Sequence, residues 1–156
     1  MKLLENEVKI FQVAELYQEI MNILGIPSSP HSDGTPLRVA KMLVNETFRA
    51  LTEEPPEIKV FPVQKGREAR LPIIVRDIEY YSTCAHHHVP FYGTVDIAYI
   101  PDKVYAGLSK FHRVVEHFSL KPQIQEELSN DIADYLYTNI KPVWVGVKVS
   151  GTHLCV

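Results

Sequence analysis

The chain has 156 residues, 46% of them hydrophobic and 22% charged, with a formal net charge of −3, which fits one soluble domain with a real core. The slightly acidic balance argues against general nucleic-acid binding, which leaves a basic footprint, and no apolar run approaches the ~20 residues that span a bilayer. The opening MKLLENEVKIFQ carries acids inside its apolar stretch and has no small-residue cleavage site, so no signal peptide is expected and the cytoplasm is the expected location.

Taken in chain order, Phe11, Val13, Leu16, Tyr17, Ile20 and Leu24 recur at helical spacing and predict a helix over 8–24, ended by Gly25 and Pro27. SSPHSDG (28–34) is a polar loop. Thr35 is suited to an N-cap and Pro36 to the first helical position, so a second helix is expected over 35–51, with Leu37, Ala40, Val44, Phe48 and Leu51 as its apolar stripe. TEEPPE (52–57) breaks the chain. It separates a helical amino-terminal region, 1–56, from the remainder, 57–156, within one domain. LPIIVRDIEYYST (71–83) is rich in β-formers and predicts a strand, with GTVDIAYIP (93–101) as its antiparallel partner and CAHHHVPFY as the long connection. Phe111, Val114, Val115 and Phe118 mark a further helix that Ser109 can cap, and Ile124, Leu128, Ile132 and Leu136 mark another from Pro122 to Ile140. VWVGVKVSGTHLCV (143–156) alternates as a third strand. The order predicts an α+β fold with helices packed on one face of an antiparallel sheet. Three strands leave open edges, which invite pairing with a second copy.

The chemistry concentrates in TCAHHHVPF (83–91). Cys84 and His87 have C-x-x-H spacing at a strand end, a pair that zinc accepts. Two buried inert thiols are the plainer reading of the two cysteines. However, Cys155 has His153 two residues before it, and positions i and i+2 of a strand share a face. Cys84, His87 and Cys155 together would leave a fourth tetrahedral position open, as in catalytic zinc sites. His86 and His153 are the natural proton carriers beside such an ion, with a core role as the alternative for His153. His88 is expected to face solvent. Lys110 and Arg113 share a helix face near its amino terminus, either as a phosphate site or as a solvated basic face, and Arg38 carries the same ambiguity. Gln125 and Glu126 lie in a first helical turn. There a carboxylate suits the helix dipole and also matches the paired N–H donors of a guanine edge.

In this order, TPLRVAKM, STCAHHHVPFYGTVDIAYIP, GLSKFHRVVEHF, PQIQEEL and GTHLCV resemble the GTP cyclohydrolase I family, and the likeness covers nearly the whole chain. The resemblance implies the tunnelling fold, with sheets joined between subunits into a barrel. It also implies a ring-shaped homo-oligomer, commonly a decamer, with active sites at subunit interfaces. It implies zinc on Cys84, His87 and Cys155, and attack at C8 of GTP with release of formate to give 7,8-dihydroneopterin triphosphate. His86 and His153 would shuttle protons. Ser109, grouped with the catalytic residues, would join Lys110, Arg113 and Arg38 on the triphosphate and sugar, and Glu126 with Gln125 would anchor guanine.

Three departures stand out. Ala85 occupies a position where the family usually has glutamate, Leu37 one where it has histidine, and the sequence stops at Val156, before the family's usual arginine-bearing segment. These departures leave two other expectations open. One is a catalytically silent zinc- or nucleotide-binding homologue, and the other is a variant acting on another purine nucleotide.

Overall fold

The long strand pair at the centre of the fold follows from the β-branched and aromatic runs on either side of the histidine cluster. In the computed structural model, which describes residues 2–66 and 71–156, the chain divides into two compact units, Met1–Arg49 and Ala50–Val156.

In the first unit, α1 (Lys2–Ile23) packs on α2 (Thr35–Met42). The apolar face predicted for the first helix is not its buried face. Ile10 and Met21 are buried, whereas Phe11, Leu16, Ile20 and Leu24 stay exposed in the single chain, because one short neighbour covers only a narrow stripe of a 22-residue helix. The second helix is also shorter than its pattern suggests. After Met42 it loosens into a π turn, Leu43–Thr47, and then a 3-10 turn, Arg49–Leu51. Gly34, in the left-handed region at φ 72°, stands at the N-cap in place of Thr35. Glycine reaches that conformation without a Cβ clash, and Thr35 becomes the first helical residue with Pro36 beside it.

In the second unit, β2 (Ile73–Cys84) and β3 (Pro90–Ile100) run antiparallel, and β6 (Trp144–His153) pairs antiparallel with the other side of β3. The two-residue β5 (Pro122–Gln123) lies parallel to the end of β2, giving the order β5-β2-β3-β6. β1 (Val60–Pro62) and β4 (Val104–Ala106) form a separate antiparallel pair. Among the described residues there are thus six strands where three were expected. The sequence pattern misses β1, β4 and β5 because two or three residues cannot show a period of two. Within one chain the sheet is open, with β5 and β6 at its edges.

α3 (Leu108–Ser119) and α4 (Gln125–Ile140) fill one face of the sheet. Phe111, Val114 and Val115 of α3 and Leu128, Ile132 and Leu136 of α4 are buried against Ile78, Phe91, Val95, Ile97 and Tyr99. Burial of each such side chain contributes about 1.5–3 kcal/mol. α3 starts two residues earlier than a Ser109 cap requires, with extended Gly107 at the N-cap and no side-chain cap. α4 starts at Gln125 because Pro122 and Gln123 are drawn into the sheet.

A bulge interrupts the β2–β3 ladder. Val75 pairs with Ile97 and Ile78 with Val95, so Arg76 and Asp77 together oppose Asp96. Asp77 takes a left-handed backbone, φ 56°, and its N–H donates to Asp96 Oδ1 at 3.0 Å. Aspartate tolerates this region better than most residues. No helix among the described residues is long and apolar enough to cross a membrane.

Candidate metal centre

Cys84 is the last residue of β2, and the chain reverses immediately after it. The Cys84 N–H donates to Val89 O and the His88 N–H to Cys84 O, both at 2.9 Å. His88 adopts φ 53° to close this turn, a backbone role that its expected exposure did not suggest. The reversal folds His87 back beside Cys84. On the other side, β6 ends at His153, which pairs with Phe91. Cys155 therefore sits in a turn beyond the strand, not on the strand as the i, i+2 reading expected. The Leu154 N–H donates to Pro90 O at 3.2 Å and holds that turn against the start of β3.

The result is a cluster. The Cys84 Sγ, a ring nitrogen of His87 and the Cys155 Sγ all lie within 4.8 Å of one another, and neither cysteine is in a disulfide. Two thiols and one imidazole so placed fit a thiophilic divalent ion in tetrahedral coordination. The local electrostatics favour the ligand form. The His86 backbone N–H lowers the Cys84 pKa below the ordinary thiol value, against burial and with help from the Cys155 thiol and the His87 N–H. The neighbouring Cys84 raises the Cys155 pKa in turn. The first thiolate of the pair therefore forms on Cys84.

Two more histidines flank the cluster. His86 Nδ1 is 3.9 Å from Cys84 Sγ, and its ring meets that of His87 edge-on at 6.2 Å. His153 lies flat on Phe91, with centroids 4.8 Å apart and planes 2° from parallel, and its Nε2 is 3.1 Å from Gln125 Oε1. The Gln125 amide nitrogen is directed at Val149 O, 3.5 Å away. This orientation presents Oε1 to His153, so Nε2 is the donor in that contact. A cleft of about 220 Å³ opens here, lined by Cys84, His86, Gln125, Glu126, His153 and Cys155 among others.

The family model for GTP cyclohydrolase I matches residues 13–156. This chain belongs to the GTP cyclohydrolase I family. It is 42% identical over 150 residues to GTP cyclohydrolase 1 of Aquifex aeolicus, covering 94% of this chain and 76% of that protein. The same enzyme name is carried by a relative from a Sulfurihydrogenibium species, again 42% identical over 150 residues, with 94% and 74% covered. A relative from Streptococcus suis, also GTP cyclohydrolase 1, is 38% identical over 148 residues, with 92% and 76% covered.

Within this family member, the fold brings together Cys84, His87, Cys155, His86, His153, Gln125 and Glu126. It does not bring Ser109, Lys110 or Arg113 to the cleft, whose lining includes none of them. Ser109 and Arg113 are exposed and Lys110 half-buried on the first turns of α3. Arg38 belongs to the other unit, where its Nη2 donates to Thr35 Oγ1 at 2.9 Å and to His31 O at 3.2 Å.

Sequence reasoning missed two groups. Gln123, 1% exposed, donates from Nε2 to Phe118 O at 2.6 Å and to Ser82 Oγ at 3.0 Å. Its Oε1 and the Tyr80 hydroxyl are buried without a hydrogen-bond partner among the described residues. The signal for Tyr80 was its parity, since Ile78, Tyr80, Ser82 and Cys84 alternate along one face of β2. For Gln123 there was none.

Proposed function

We propose that this chain is a GTP cyclohydrolase I, opening the imidazole ring of GTP by hydrolysis, releasing formate and closing 7,8-dihydroneopterin triphosphate. The observation that carries this reading is the Cys84–His87–Cys155 cluster, in a chain whose family match covers residues 13–156. Zinc is the metal best suited to two thiolates and one imidazole, and when bound it would supply Lewis acidity that brings the pKa of a water towards ~7.

The chain's own residues do the rest. His86 and His153 move protons as water adds to C8 and as the ribose rearranges. The Gln125 bond holds the His153 ring in place, with Nε2 as the donor in that contact. Glu126, an exposed carboxylate in the first turn of α4, accepts the guanine N1–H and N2–H donors with Gln125 beside it. Lys110, Arg113, Ser109 and Arg38 hold the triphosphate and the sugar.

The single-chain cleft of about 220 Å³ is below the ~300 Å³ at which ligand pockets usually begin. Neighbouring copies complete it in our reading. The open β6 edge and the exposed apolar residues of α1 are surfaces where copies would join into a ring, expected to be a decamer, with the sheets closing a barrel. We assign catalysis to residues 57–156, with 1–56 as the helical region, and place the enzyme in the cytoplasm at the entry to reduced-pterin and folate synthesis.

The test is an assay with GTP and protein carrying one zinc per chain, in which a fluorescent pterin appears after oxidation. Binding of GTP by calorimetry without product would favour a silent homologue. Turnover of dGTP in preference to GTP would favour a nucleotide variant.

A further inference from the structure

Tyr80 belongs to no part of the chemistry described so far, yet it sits against it. Its side chain is buried, 6% exposed, and its hydroxyl has no hydrogen-bond partner among the described residues. Buried polar groups are rarely left so without a reason. The ring meets Phe91 edge-on, with centroids 5.9 Å apart and planes at 74°, and Phe91 is the surface on which His153 is stacked. The hydroxyl reaches the same histidine by a second route, across Gly151. A Cβ on Gly151 would lie 2.6 Å from the Tyr80 oxygen, 2.7 Å from Gln125 Oε1 and 3.6 Å from His153 Nε2. Three polar atoms thus converge on the bare face of one glycine. Any side chain at 151 would push them apart.

The chemistry of that spot is complementary. Gln125 Oε1 has two lone pairs, of which His153 takes one. The Tyr80 O–H is a donor without an acceptor among the described residues. Burial pushes its pKa up to about 12, so it remains a donor at any pH where the protein works. Hydrogen bonds in active sites are often long before substrate arrives and shorten afterwards.

We propose that Tyr80 is a positioning residue for His153, its hydroxyl donating to Gln125 Oε1 as the cleft fills and locking the amide and the imidazole together on Phe91. The proposal rests on the reading of His153 as a proton carrier in GTP hydrolysis.

The test is a double-mutant cycle on zinc-loaded protein, with GTP as substrate. Tyr80→Phe removes one oxygen and keeps the ring. It is expected to lower kcat about tenfold with KM for GTP held within about twofold, while Tm stays level or rises because an unpaired buried hydroxyl is gone. In a Gln125→Leu background the same change is expected to have no further effect on kcat. Gly151→Ala, which places a methyl group where the hydroxyl and amide meet, should repeat the kcat loss. A Tyr80→Phe enzyme with unchanged kcat overturns the proposal, as does an equal loss in both backgrounds. Should the wild type itself fail to turn over GTP, it is the proposed reaction that fails. Crystal structures of wild type and Tyr80→Phe, each with GTP bound, then judge the positioning alone. A Gln125–His153 contact kept near 3.1 Å in both proteins overturns it, and separation of the pair in the variant upholds it.

Discussion

The metal corner and the basic face of α3 are built in opposite ways. At the corner, residues 71 positions apart in sequence meet because β2, β3 and β6 are adjacent strands. The β2–β3 turn and the turn after β6 fold back at the same end of the sheet. Two of the three donors are at least partly buried, and each is held by main-chain hydrogen bonds around it. On α3, Ser109, Lys110 and Arg113 are neighbours on one helix, yet none of them lines the cleft and no ion pair ties either cation among the described residues. A metal corner can be finished inside one chain, because short covalent-like ligand bonds demand it. Under the proposed function, the α3 cations would meet the triphosphate only where copies of the chain assemble.

The sharpest way to break this contrast is to remove a sulfur. Cys84→Ser or Cys155→Ser should lose bound metal and turnover together, as should chelation of the wild type, with only the chelated protein recovering on zinc addition. Metal analysis beside the pterin assay checks both. Next, His153→Ala should retain metal at one per chain and lose about 10²–10⁴-fold in kcat. Loss of the metal as well would mean that His153 belongs to the ligand cage. Lys110→Ala should leave metal content untouched and weaken GTP binding by about 1.5–3 kcal/mol, read by calorimetry. A wild-type affinity would make the α3 cations a solvated face. The smallest expected effect on chemistry is that of Gly93→Ala. A Cβ there would fall 1.9 Å from Ser150 O, so the β3–β6 ladder must shift. A stability loss of about 1–3 kcal/mol is expected by thermal melting, with any remaining folded protein still binding metal.

Much of this was readable from residue patterns, for physical reasons that also explain the gaps. Long strands and helices announce themselves by period, so β2, β3, β6, α3 and α4 were found close to their observed bounds. The C-x-x-H spacing and the histidine run marked the corner, because histidine and cysteine rarely cluster without a ligand. The route by which Cys155 arrives was misread. Strand alternation was invoked, but a turn anchored on Pro90 does the work. The Gln125–His153 bond was invisible because it joins residues from different elements through a register that only pairing reveals. The apolar face of α1 was misjudged because periodicity shows that a stripe exists without showing what covers it.

The bulge at Asp77 has a consequence that reaches the active corner. Upstream of it, Ile73 and Val75 are the partly covered residues of β2; downstream, Ile78, Tyr80, Ser82 and Cys84 are the alternating buried residues, with Thr83 buried as well at the strand's end. Odd numbers turn inward before the bulge and even numbers after it. That single extra residue works like a reading-frame change in three dimensions: were every residue kept and the bulge flattened into a regular ladder, Tyr80 and Cys84 would swing to the far side of the sheet and Glu79 and Tyr81 would take their place.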